Sequence, residues 1–100
     1  MSTSAVADTT APAFDLGAGW RLHPQVSVRP ERFGALLYHF GTRRLSFVKT
    51  QTLLRVLEQL ATQRSARTAC MAAGVDAGQM QEYAKALAAL AASSMICERS

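Results

Sequence analysis

One hundred residues, 49 % of them apolar, make a single small domain with a modest core and little room for a dedicated enzyme cavity. The formal net charge of +4 is uneven: residues 21–67 hold nine Lys/Arg against Glu31 and Glu58, while the remainder is net −3. Two cysteines exclude a disulfide framework, and no apolar run approaches the roughly 20 residues a membrane helix needs.

Residues 1–18 are a polar Ala/Thr/Ser-rich leader with little to bury, expected to stay mobile. It lacks the basic start and apolar stretch of a signal peptide. A cytoplasmic protein with two reduced thiols is the expectation. Structure is expected from Trp20. There Trp20, Leu22, Val26 and Val28 share one face and Arg21, His23, Gln25, Ser27 and Arg29 the other, which is the alternation of a half-buried strand. Pro24 has no N–H, so it breaks that strand or sits where no ladder bond is needed.

A second strand is expected over residues 34–40, with Gly41-Thr42 as a two-residue type II′ hairpin loop. That register sets Phe40 opposite Arg43, Tyr38 opposite Leu45 and Leu36 opposite Phe47. Leu36, Tyr38, Leu45 and Phe47 then make one apolar face that a one-residue slip would expose. Leu37, His39, Arg44, Ser46 and Val48 lie on the other.

Three helices follow. Thr50 caps the first, whose stripe is Leu53, Leu54, Val56, Leu57, Leu60 and Ala61. Ser65 caps a short second helix over residues 66–73, stopped by Gly74. Asp76 and Gln79 have the spacing of a capping box. The third helix is expected over residues 77–92, with Met80, Tyr83, Ala84, Leu87, Leu90 and Ala91 as its apolar stripe. Its remaining Ala-rich surface leaves the backbone approachable. Residues 94–100 are expected to fray, which leaves 19–93 as the domain. Three strands then three helices imply an α+β fold, a three-stranded antiparallel sheet under a helical layer. The short helix, Gly turn and longer helix add a winged-helix-like topology with the wing hairpin first.

Catalytic chemistry is missing. Gly17 and Gly19 lack the third glycine of a dinucleotide loop and precede a strand. His23, His39, Cys70 and Cys97 fall in no metal-ligand spacing. The two histidines read as outward strand residues and Cys70 as helix packing. There is no nucleophile elbow and no paired acids at a helical spacing. A basic middle suits an acidic peptide, nucleic acid or anionic membrane. A small winged-helix DNA-binding regulator is the alternative reading. Against it, the third helix offers Gln79, Gln81, Glu82 and Lys85, where phosphate contact wants clustered Arg and Lys. An edge strand carrying Arg43, Arg44, Leu45, Ser46, Phe47, Val48 and Lys49, faced by Tyr83, Leu87 and Leu90, suits an extended peptide added to the sheet. The main-chain donors of Ser46 and Val48 are the expected contacts. An unfilled edge can also pair with a second copy, giving a homodimer.

The block WRLHPQVSVRPERFGALLYHFGTRRLSF over residues 20–47, with the ACMAAGV turn, closely resembles the peptide chaperones of mycofactocin biosynthesis. These are relatives of the pyrroloquinoline-quinone peptide chaperone among the precursor-peptide recognition elements. The resemblance spans about residues 19–90. It implies a non-catalytic, winged-helix-like domain with no cofactor of its own. Such a domain binds the leader of a ribosomally made precursor peptide as a strand beside the third strand, facing the third helix. It presents that peptide to a radical S-adenosylmethionine enzyme, which carries the iron–sulfur cofactor. It implies neither nucleic acid nor membrane as partner. On this chain the peptide edge becomes residues 43–49 and the facing wall Tyr83, Leu87 and Leu90. The basic edge suggests an acidic leader.

Overall fold

In the computed structural model, which describes residues 14–99, the elements run β1 (Trp20–Leu22), β2 (Val26–Pro30), β3 (Ala35–His39), β4 (Arg44–Val48), α1 (Gln51–Leu60), α2 (Ala66–Ala72), α3 (Met80–Ala92) and β5 (Ile96–Glu98). The architecture is α+β, with the expected antiparallel sheet β2-β3-β4 ahead of three helices. A second, two-stranded sheet, β1-β5, was not expected.

The alternating stretch over residues 20–29 is two strands. Pro24 sits in a turn closed by Val26 N–H donating to the His23 carbonyl (2.9 Å). After it, the chain leaves β5 and joins β3.

The hairpin register is the expected one, with Tyr38 opposite Leu45 and Leu36 opposite Phe47. The turn is wider than a type II′ loop. His39 pairs with Arg44, Arg43 N–H donates to the His39 carbonyl (2.7 Å), and residues 40–43 form the loop. A type II′ turn needs positive φ at Gly41, but the left-handed residue is Arg43 (φ 63). The His39 ring explains this, because its Nδ1 accepts from the amides of Gly41 (3.0 Å) and Thr42 (3.1 Å). His39 is therefore not an outward residue. It is 3 % exposed and packs on His23 with ring centroids 4.4 Å apart.

The buried side of the sheet is Ala35, Leu37, His39 and Val48. Leu45 and Phe47, on the opposite side, are 61 % and 62 % exposed. The expectation that Leu36, Tyr38, Leu45 and Phe47 form the face to be hidden is thus reversed. Both faces of the hairpin carry apolar residues, so alternation alone does not choose between them. The choice falls to α1, which leaves β4 through the Thr50 cap (Thr50 Oγ1 accepts from Leu53 N–H, 3.0 Å). It contributes Leu54, Val56, Leu57 and Leu60 to the core that holds Ala35, Leu37 and Val48.

α2 begins with a capping box in which Ser65 and Thr68 exchange side-chain and backbone bonds. Its two remaining N-terminal donors, Ala66 and Arg67 N–H, bind the carbonyls of Ala18 (3.0 Å) and Leu16 (2.9 Å). An exposed helix start needs such acceptors. So residues 14–18 dock, with Phe14 stacked on Trp20 at 4.5 Å, although the leader was expected to be mobile. That expectation for residues 1–13 lies outside the described residues.

Gly74 (φ 94) ends α2 as expected, with Val75 N–H reaching the Cys70 carbonyl (3.0 Å). Asp76 Oδ1 takes Gln79 N–H (3.0 Å), but this caps a turn, and α3 starts at Met80. α3 ends by the same device as α2. Met95 N–H donates to the Leu90 carbonyl (2.8 Å), and Ser94 N–H to that of Ala91 (3.0 Å). Here the left-handed position is Ser94 (φ 63). The reversal sends Met95 and Ile96 into the core and β5 onto β1. Residues 94–99 therefore do not fray. The expectation missed this because no glycine marks the turn. Arg99 ties the end down, its guanidinium donating to the carbonyls of Ala61 (3.1 Å) and Gln63 (2.6 Å) after α1.

Gly34 has a different role from Gly74. A Cβ on Gly34 would run into the Val48 carbonyl oxygen and the Thr50 backbone, whereas one on Gly74 meets nothing within 4 Å. Gly34→Ala should therefore cost about 2 kcal/mol through a forced backbone shift, lowering the melting temperature by roughly 10 °C. Gly74→Ala should cost only the conformational term of about 1 kcal/mol. Thermal unfolding of the two variants checks the order.

Candidate functional site

Hydrogen-bond parity identifies the open groups of the sheet. Phe40 N–H donates to the Gln25 carbonyl (2.8 Å), and Gly34 and Glu31 exchange bonds (3.2 and 3.0 Å). Even-numbered residues of β3 thus bond to β2, and by antiparallel alternation Ala35, Leu37 and His39 bond to β4. Their partners there are Val48, Ser46 and Arg44. The N–H and C=O groups of Leu45, Phe47 and Lys49 consequently point away from the sheet. The expected contacts at Ser46 and Val48 are corrected by one residue, because the main-chain groups of Ser46 and Val48 are spent on the β3 ladder.

Beside this open edge runs a groove of about 730 Å³. One wall is Leu45, Ser46, Phe47, Lys49 and Thr50, and the other is α3 through Glu82, Tyr83, Ala86, Ala89, Leu90 and Ser93. Leu53 of α1 and Gln79 complete the lining. Of the residues singled out from sequence, Leu45, Ser46, Phe47, Lys49, Tyr83 and Leu90 meet here. Val48 and Leu87 are wholly buried and belong to the core. Arg43 and Arg44 are exposed at the start of β4, outside the lining. Sequence reasoning did not assign Glu82, Ala86, Ala89 and Ser93. Their spacing of four, three and four places them on one helical stripe, and the small size of Ala86, Ala89 and Ser93 keeps the groove open. Leu53 was read as core, but it is only partly buried.

The lining is mainly apolar, with Lys49 and Glu82 its two charged residues. Such a surface can pair main-chain amides and receive alternate apolar side chains, but it holds no catalytic constellation. Among the described residues no cluster of three His, Cys, Asp or Glu side chains could hold a metal ion. No helix there is long and apolar enough to cross a membrane.

Residues 19–97 match the profile of the peptide chaperone MftB family. Among curated proteins, the chain is 58 % identical to the peptide chaperone MftB of Mycobacterium ulcerans and 57 % identical to that of Mycobacterium tuberculosis. Each match covers 86 % of this chain and 79 % of the relative. It is 51 % identical to the peptide chaperone MftB of Mycolicibacterium smegmatis over 96 % of this chain and 91 % of the relative. The chain belongs to the peptide chaperone MftB family. The role is non-catalytic and lies in mycofactocin biosynthesis, in agreement with the resemblance carried by residues 20–47. No solved structure is significantly similar to the chain.

The two thiols differ in setting. Cys70 lies in the core and Cys97 is half-buried on β5. Burial pushes the Cys70 thiol above its usual range, and Arg67 opposes this more weakly. Its contribution to stability is complete while the thiol is protonated in the unfolded chain too, and is lost as pH rises through the thiol range. Relative to Cys70→Ala, the wild type should lose stability as pH rises through the ordinary thiol value of 9.0, read from urea midpoints. In the native protein an aromatic disulfide reagent should modify Cys97 first and reach Cys70 only on unfolding.

Proposed function

We propose that the chain binds the leader of a ribosomally made precursor peptide in the β4–α3 groove, as a strand added to β4. It then presents the peptide to the radical S-adenosylmethionine enzyme of mycofactocin biosynthesis, in the cytoplasm. The observation that carries this reading is the row of open main-chain groups at Leu45, Phe47 and Lys49, beside a mainly apolar groove that Ala86, Ala89 and Ser93 of the far wall keep open. Main-chain pairing supplies affinity with little demand on sequence, and the pockets between α3 and Leu53 read alternate side chains. Family membership supports the choice of ligand. In this reading β3-β4 is the wing and α2-α3 the helical pair of a winged-helix-like domain.

The cations sit at the two ends of the edge, Arg43 and Arg44 before Leu45 and Lys49 after Phe47. An acidic leader would meet Arg43 and Arg44 outside the groove and Lys49 in its lining, so charge steers the encounter. Holding the peptide beside the enzyme makes the second encounter effectively intramolecular. With the groove empty, the same amides are open to a second copy, and a dimer through β4 is the state that peptide displaces.

Proline at an open position removes a donor without touching the ladder to β3. Leu45→Pro and Phe47→Pro should each weaken peptide binding by about tenfold relative to Leu45→Ala and Phe47→Ala, which keep the N–H. Ser46→Pro should instead destabilise the sheet. Calorimetric titration with the leader, alongside circular dichroism, separates these effects. Equal affinities for the proline and alanine variants would refute strand addition.

A further inference from the structure

Five large apolar side chains are exposed among the described residues, and four of them, Phe33, Phe40, Leu45 and Phe47, lie on or at the rim of one surface. That surface is the side of the β2-β3-β4 sheet turned away from the helices, with Leu36 and Tyr38 at its centre. The rings pack on one another: Phe33 against Phe47 at 6.2 Å, and Tyr38 edge-on to Phe40 at 5.1 Å. Contiguous exposed apolar surface on a small protein marks an interaction site, and aromatic side chains with arginine are the composition of interface hot spots.

We propose that this outer face docks a second protein bearing an apolar patch rimmed by carboxylates, and that this protein is the modifying enzyme, held at the same time as the peptide. Charge selects this occupant. Arg43 and Lys49 stand at the rim of the patch, where Arg29 and Glu31 neutralise each other at 2.9 Å. Among the described residues Arg43 and Lys49 form no ion pair. A second copy of this chain would set basic rim against basic rim.

Geometry permits both partners at once. The groove opens on the helix side of β4, and the docking face is on the other. The two surfaces share Leu45 and Phe47. If the peptide adds as a strand, which rests on the reading above, its alternate side chains emerge beside these two residues and enlarge the docking face. The enzyme therefore binds the loaded protein more tightly than the empty one, and by reciprocity tightens the peptide.

The test uses Phe33→Ser combined with Phe40→Ser, since neither residue lines the groove. Leader peptide, and then the radical S-adenosylmethionine enzyme, are titrated into the full chain. Affinity for the enzyme should fall by about tenfold or more, well beyond any loss in leader affinity, which Phe33 reaches only through its packing on Phe47. An unchanged enzyme affinity overturns the proposal. If the leader fails to bind even the wild type, strand addition fails by itself, and titrating enzyme into the peptide-free chain still judges the face. Should the double variant misfold, a photo-crosslinker at Ser27, exposed on the outer face of β2, decides: it should capture the enzyme where one at Arg55 on α1 does not. The reverse pattern overturns the proposal. So would a dimer of the loaded wild type, or binding of a single-stranded oligonucleotide, that the double variant loses.

Discussion

The hydrogen-bond parity of β3 is the constraint on which the rest depends. Leu36, Tyr38 and Phe40 are committed to β2, and Ala35, Leu37 and His39 to β4. From this single alternation follow the side chains that enter the core, the face left to solvent and the main-chain groups open at the edge. Both ends of the strand are pinned. At one end Gly34 lets the backbone of Val48 and Thr50 approach closer than any side chain allows. At the other the His39 ring gathers the turn amides of Gly41 and Thr42. A shift of one residue would exchange core and surface and turn the open amides inward.

The groove is as much a product of the chain termini as of the hairpin. α3 forms its far wall, and α3 is held at its end by the left-handed turn at Ser94 and the β1-β5 pairing. Residues 16 and 18 supply carbonyls to the start of α2, and Arg99 supplies a cation to the carbonyls after α1. Each of these contacts satisfies helix-end groups that would otherwise need water. Together they hold the helical layer while Ala86, Ala89 and Ser93 leave a gap beside β4.

β4 thus serves two surfaces. Its open main chain belongs to the groove, and Leu45 and Phe47 also reach the aromatic outer face. In the proposed reading, a domain with no catalytic cluster among its described residues acts on chemistry elsewhere by governing which two molecules meet.

The helix caps at Thr50 and Ser65, the glycine stop at Gly74, the hairpin register and the family were all legible in the sequence. Each is written in local spacing or in a distinctive run of residues. The edge strand and the Tyr83–Leu90 side of α3 were legible as a candidate site for the same reason. Three features were decided only by tertiary structure. Alternation says that two faces differ, but not which one a helix will cover, so the apolar set 36/38/45/47 was placed on the wrong side. Parity of side chains does not reveal parity of hydrogen bonds until a neighbouring strand takes one set, so the open donors fell one residue from where they were expected. The pairing of β1 with β5 joins residues far apart in the chain through a turn without glycine. No local signal announces such a contact, because the free energy that favours it comes from burying Met95 and Ile96 in a core that exists only once the chain has folded.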